Sequence, residues 1–274
     1  MEINRQNVID VCKKSNIRPD KDYGQNFLID PNVSKAIVDA LDIKEKERVL
    51  EIGPGIGSLT HFLSMHENDI DVVDIDMNMV YFLKVFYQEN KNINVINSDI
   101  RKHDVSCYHK VVANLPYNLT TEIIVYLLEN AKECQKMVLM CQKEAFAHFM
   151  DLEGSEYGPT SVLIHLLGTI RRLFLVKKGA FYPAPKIDSV VFEINLDKSK
   201  SLSDALEAYK LAKALFNNRR KTLQNNLSNY FGDKELASAL LSKVCNPNDR
   251  PENLSPENYL KLSQLLIENK KNNI

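Results

Sequence analysis

The sequence predicts an α/β chain, a mostly parallel sheet with helices on both faces, followed by a small all-helical part. Three observations predict it. Short apolar runs alternate with amphipathic stretches through the larger part of the chain. Three of only nine glycines fall together, directly after the first of those runs. Strand signals then stop beyond a polar stretch, DKSKSLSD, at 197–204.

In chain order, Val33, Ile37, Ala40 and Leu41 form one apolar helix face ahead of the first strand. Strands are expected at 49–52, 71–75, 94–96, 110–113 and 136–140, with a striped helix at 121–128. Two later strands, 173–176 and 190–195, are joined by KKGAFYPAPKIDS, whose prolines mark a loop. Ser201 is a helix cap, with Asp204 as its capping-box partner. Ala205, Ala208, Ala212 and Leu215 make a helix stripe, and Ser255-Pro256-Glu257 is a helix start. The expected domains are 1–197 and 203–274.

Composition narrows the function classes. With 44% hydrophobic and 26% charged residues the chain is a folded protein rather than a disordered one. No apolar run is long enough to span a membrane, and MEINRQNVIDVCKK lacks the apolar core of a signal peptide. The five cysteines are scattered without metal-like spacing, which fits a reduced cytoplasm and no metal. Net charge is −1, but residues 1–197 carry 22 Lys and Arg against 28 Asp and Glu, while 198–274 carry 13 against 8. A basic tail beside an acidic larger part points weakly to a polyanion.

The glycines lie in EIGPGIG, after a strand and before a helix expected to begin near Ser58. Such a turn lets a ligand approach the backbone closely. A dinucleotide fingerprint would read G-x-G-x-x-G/A, but its third position here is Ser58. The acid Glu51 ahead of Gly53, Gly55 and Gly57 gives instead E-x-G-x-G-x-G, typical of enzymes that use S-adenosyl-L-methionine (SAM). Asp74 ends the next strand, where an acid suits a ribose diol, and Asp99 follows the third, where it suits an exocyclic amine.

The fourth strand ends in Asn-Leu-Pro-Tyr, 114–117. The exocyclic amine of adenine is a weak nucleophile, because its lone pair is delocalised into the ring. Two acceptors that hold its hydrogens in a bent geometry favour the pyramidal nitrogen that attacks. Asn114 Oδ1 and the carbonyl of Pro116 or its neighbour suit that task. Proline fixes the backbone there, and Tyr117 offers a stacking face. The gain lies in alignment and in contacts that strengthen as the nitrogen becomes tetrahedral.

On these residues the chain resembles the ribosomal RNA adenine N6-dimethyltransferase family, the KsgA/RsmA group and its macrolide-resistance relatives. YGQNFLID at 23–30, EIGPGIG, NLPY, GAFYPAPKIDSVV, FNNRRKTLQNNL and RPENLSPENYLKL carry the resemblance over nearly the whole chain. It implies a Rossmann-like class I SAM methyltransferase fold with a seven-stranded sheet. It implies cofactor contacts from Asn26, Leu28, Glu51, Gly53, Gly55, Asp74, Ile75, Asp99, Ile100 and Asn114. It implies that Asn114, Leu115, Pro116 and Tyr117 hold the target adenine, with Phe181 stacking on the flipped base opposite Tyr117. Three positions depart from the family pattern: Asp74 where Glu is usual, Asp22 before Tyr23, and Lys177-Lys178 where a proline is common.

The activity implied is dimethylation of two adjacent adenosines in a hairpin near the 3′ end of 16S rRNA, in an immature small ribosomal subunit, with S-adenosyl-L-homocysteine as product. The chain is expected to be cytoplasmic and monomeric, with no membrane partner. RNA contacts are expected from Arg171, Arg172, Lys177, Lys178, Arg219, Arg220 and Lys221. The histidines show no metal spacing, and Tyr126, Phe146 and Phe149 read as core. Two other readings stand beside this one. A macrolide-resistance enzyme acting on 23S rRNA is disfavoured by the tail motifs. A non-catalytic RNA-binding assembly factor is disfavoured by the intact glycine loop and NLPY.

Overall fold

The structure is a computed structural model that describes residues 6, 7, 10 and 26–272. The expectations placed on Asp22, Tyr23, Gly24 and Gln25 lie outside the described residues. The chain divides into two compact units. One runs to Ala145 and resumes over Arg171–Asn195, and the other holds Phe146–Ile170 and the chain from Leu196 on. Residues 146–170, which the expected boundary at 197 grouped with the sheet, therefore pack with the tail.

The first unit is built on a seven-stranded sheet. Its strands are β2 (Val49–Ile52), β3 (Ile70–Asp74), β4 (Ile93–Asn97), β5 (Lys110–Asn114), β6 (Lys136–Gln142), β7 (Gly168–Val176) and β9 (Ser189–Leu196), in the order β4-β3-β2-β5-β6-β9-β7. Strands β2 to β6 are parallel, and β9 runs antiparallel to β6. A small second sheet pairs β1 (Phe27–Leu28) antiparallel with β8 (Phe181–Tyr182).

The burial of each strand follows its place. In β2 all four residues of VLEI are buried, as a strand covered on both faces requires. In β4, at the sheet edge, INVIN alternates between buried and exposed positions at its start. Helix α1 (Pro31–Leu41) starts where Asp30 Oδ1 accepts from Asn32 N at 2.9 Å, with Pro31 in its first turn. It buries Ile37 and Leu41 completely and packs on β5 and β6. Helix α3 (Met77–Phe86) is capped by Asp76, and α4 (Thr120–Asn130) buries Ile123, Ile124, Leu127 and Leu128. The helix expected near Ser58 is a single turn, α2 (Thr60–Leu63).

The second unit holds most of α5 (Lys143–Met150), then α6 (Pro159–Leu167), α7 (Leu202–Phe216), α8 (Leu223–Phe231), α9 (Lys234–Leu241) and α10 (Pro256–Asn272). Ala205, Ala208, Ala212 and Leu215 are buried on α7, which packs on α6 and α10. Ser201 Oγ caps α7 by accepting from Asp204 N at 3.3 Å. The Asp204 carboxylate meets Gln264 Nε2 at 3.4 Å instead of closing a capping box. Phe146 and Phe149 are buried, while Tyr126 is half-buried and donates to the His103 carbonyl at 2.6 Å. Among the described residues no helix is long and apolar enough to cross a membrane, and no cluster of His, Cys, Asp and Glu could hold a metal ion.

Candidate active site

A cavity of about 320 Å³ opens at the C-terminal ends of β2, β3, β4 and β5, within the range of small-molecule sites. The strand order reverses between β2 and β5, the place where open parallel sheets bind ligands. The cavity is lined by Asn26, Leu28, Glu51, Gly53, Gly55, Asp74, Ile75, Asp99, Ile100, Asn114, Leu115, Pro116 and Tyr117, all expected from the sequence. Arg101, Ser58 and Ile123 line it too, unexpected from the sequence. For Arg101 the one available signal was a charge two residues beyond Asp99.

The loop after β2 is built by glycine. Gly53, Gly55 and Gly57 all have positive φ, at 63°, 55° and 86°. At Gly55 a Cβ would lie 2.9 Å from the Phe27 ring, so both backbone angle and space exclude a side chain. Ser58 Oγ donates to the Leu28 carbonyl at 2.5 Å, which fastens β1 across the loop.

Two carboxyls on the cavity floor are forced toward the neutral form by burial. Glu51 is fully buried, and its proton is held to about pH 8 because ionisation there would lack water. Thr60 Oγ1 donates to Glu51 Oε2 at 2.6 Å, while Oε1 has no hydrogen-bond partner among the described residues. Asp74, at the end of β3, is raised to about 6 by burial, although Asp76 N donates to its Oδ1 at 2.8 Å. Asp99 differs. The hydrogen-bonded Arg101 guanidinium holds its carboxyl below the usual range.

At the end of β5, Asn114 Nδ2 donates to the Asn26 carbonyl at 3.2 Å, which orients the amide and leaves Oδ1 as its acceptor. The Pro116 carbonyl already accepts from Leu119 N at 3.1 Å and Thr120 Oγ1 at 3.0 Å, where α4 begins. The Pro116 carbonyl is thus taken up by its own helix start, which leaves a neighbouring carbonyl as the alternative acceptor. The half-buried Tyr117 lies 3.3 Å by its hydroxyl from Ser189 Oγ.

Other expectations fare differently. Phe181 does not line the cavity. It is 2% exposed and packs in the core cluster with Leu28, Ile37 and Val176. Its strand neighbour Tyr182 points the other way, toward Phe27 and Met79, because successive strand residues face opposite sides. The basic residues also divide. Arg171 is paired with Glu193 through Nε at 3.0 Å and Nη2 at 2.9 Å, and Lys177 with Asp188 at 3.0 Å. Arg219 donates to the carbonyls of Ser155, at 2.7 Å, and Gly154, and lies against the Phe216 ring. That guanidinium holds a loop of its own unit instead of presenting itself to phosphate. Arg172, Lys178, Arg220 and Lys221 are exposed, and no ion pair holds them among the described residues.

Comparison with known proteins agrees with this geometry. The family profile described as ribosomal RNA adenine dimethylase matches residues 16–268. A ribosomal RNA small subunit methyltransferase A from Malacoplasma penetrans (strain HF-2) is 37% identical over 259 residues, covering 93% of this chain and 94% of the relative. The crystal structure of a dimethyladenosine transferase from Plasmodium falciparum superimposes with a TM-score of 0.76 at 27% identity, covering 89% of this chain and 97% of that one. The 23S rRNA methyltransferase ErmE shares the fold, with a TM-score of 0.68 at 22% identity over 88% of this chain and 100% of its own. Glycine loop, strand-end acids and Asn-Leu-Pro-Tyr corner thus meet in one cavity, and the chain belongs to the ribosomal RNA adenine dimethylase family.

Proposed function

We propose that this chain transfers methyl groups from SAM to the N6 amines of two adjacent adenosines in a hairpin near the 3′ end of 16S rRNA, within an immature small ribosomal subunit. One observation carries the reading: Asn114–Tyr117 and the loop at Gly53–Gly57 line the same cavity, so a base held by the first meets a cofactor held by the second. The donor set fits the cofactor. The glycine loop offers close backbone approach to its methionine part, Asp74 accepts from the ribose diol, and Asp99 accepts from the adenine amine. When bound, SAM supplies an electrophilic methyl on a sulfonium.

The protein's own part is positioning. Asn114 Oδ1 and a carbonyl neighbouring that of Pro116 accept the two hydrogens of the target amine, and Tyr117 stacks on the flipped base. These contacts strengthen as the nitrogen becomes tetrahedral, which lowers the barrier rather than merely binding substrate. The methylated nitrogen is acidic and yields its proton to water, so no strong general base is needed. The second methyl follows the same course, with one hydrogen left for the two acceptors. The chain acts as a cytoplasmic monomer, and Arg172, Lys178, Arg220 and Lys221 meet phosphates.

Asn114→Ala is expected to lose about 100-fold in methyl transfer, the scale of one lost transition-state contact, with SAM binding by calorimetry weakened far less. Unchanged turnover would remove the role given to Asn114. Transfer of tritiated methyl to small subunits, with none to naked 23S rRNA, separates this reading from the macrolide-resistance one. The tail motifs RRKTL and RPENLSPENY favour the first outcome.

A further inference from the structure

Two residues past Asp99, Arg101 lines the same cavity and has a bonding pattern of its own. Its backbone N donates to Asp99 Oδ1 at 3.0 Å, and its Nε donates to the same oxygen at 3.1 Å. Its Nη2 donates to Asp99 Oδ2 at 2.8 Å. Its remaining arm, Nη1, reaches Glu122 Oε2 at 2.8 Å in the first turn of α4. The guanidinium is thus fixed at three points, two on the acid and one on the helix that follows the target-base corner.

The arrangement has a consequence for hydrogen-bond capacity. Each carboxylate oxygen offers two acceptor sites. Both sites on Oδ1 are filled by Arg101, and one site on Oδ2 is filled, so a single site remains on a carboxylate that lines the cavity. A planar guanidinium bonded in this bidentate way also fixes the rotation of its partner, which a lysine would not. Opposite charge at this distance favours the ionised form of Asp99 and so keeps it an acceptor.

We propose that Arg101 is the specificity-determining positioning residue for the cofactor's adenine: it sets Asp99 so that one acceptor site on Oδ2 receives the exocyclic amine. This rests on the reading that SAM occupies the cavity, and deepens it. Arg101 acts through Asp99. A purine carrying oxygen in place of the amine brings acceptor against acceptor and is rejected, because neither group can turn or protonate to relieve the conflict.

Calorimetry tests this with two ligands, S-adenosylhomocysteine and its inosyl analogue, against the full chain and the variants Arg101→Leu and Arg101→Lys, each checked for folding by its thermal melt. The wild type is expected to prefer the adenosyl ligand by roughly 10- to 100-fold, the range of a hydrogen bond to a charged group. Arg101→Leu frees Asp99 to rotate and should narrow that preference to about threefold or less, by weakening the adenosyl ligand and admitting the inosyl one. Arg101→Lys, which can hold one oxygen, should recover part of it. An unchanged preference in Arg101→Leu, or equal weakening of both ligands, would overturn the proposal. A wild type that bound neither ligand would instead overturn the cofactor reading beneath it.

Discussion

The floor and the rim of the cavity shift the same kind of side chain in opposite directions. On the floor, Glu51 and Asp74 are buried, and both pKa values rise, to about 8 and about 6. At the rim, Asp99 is partly exposed and paired with Arg101, and its pKa falls. Burial without a cation favours the proton, whereas a cation at hydrogen-bond distance removes it. A carboxylate's role at a strand end is therefore set by depth and partner, not by residue type. The floor is built for shape and the rim for charge.

The sharpest way to break this contrast is Glu51→Gln. Unfolded, the Glu51 carboxyl ionises near 4.5, but folded it keeps its proton to about 8. Between those values the folded chain binds a proton that the unfolded chain has lost, so stability falls as pH rises, by about 1.4 kcal/mol per unit. Gln keeps an acceptor for Thr60 and removes this titration. Denaturant unfolding at pH 5 and pH 8 should show the wild type losing about 4 kcal/mol more than the variant between the two. Parallel curves would show that Glu51 is ionised in the folded chain.

Next in size is Gly55→Ala. Positive φ and the Phe27 ring together should cost about 2–4 kcal/mol of stability by the same measurement. Gly154→Ala is the control: its φ is 79°, but nothing lies within 4 Å of the added carbon, so backbone strain alone remains. Equal losses in the two variants would mean that the floor tolerates filling.

The smallest effect separates the two aspartates directly. On the proposed function the Asp74 carboxylate accepts the ribose diol best when ionised, so SAM affinity should fall by up to about tenfold per pH unit below about 6. Asp74→Asn should flatten that dependence, measured by calorimetry from pH 7 to pH 5. Asp99→Asn should retain it, because Asp99 stays ionised over that range. A pH dependence that vanished in Asp99→Asn instead would invert the assignment of floor and rim.

The fold is legible in the sequence where a local pattern has one physical solution. Buried parallel strands read as apolar runs, and β2 and β5 fell within a residue of their places. The glycines were visible because three of them in one turn mark positive φ, and the acids because each closes or follows a strand. Structure is not legible where a distant partner decides. The pairing of β1 with β8 involves two residues on each side, too few for any periodicity, and it turns Phe181 into the core. Arg219 stood in a basic run, but carbonyls more than sixty residues earlier take its donors. For Arg101 the local sign is only a charge two residues beyond Asp99, and its meaning also depends on Glu122 arriving from the next helix.

The interleaving of the two units bears on how the protein can be cut. Helix α6 is apolar on nearly every side: Val162, Leu163, Ile164, Leu166 and Leu167 are all buried, under cover supplied by α7 and α10. Such a helix has no wet face of its own. A stop codon after residue 197 would thus bare a sticky cylinder upstream of the last strands, and the shortened product should precipitate on expression rather than survive as a trimmed enzyme.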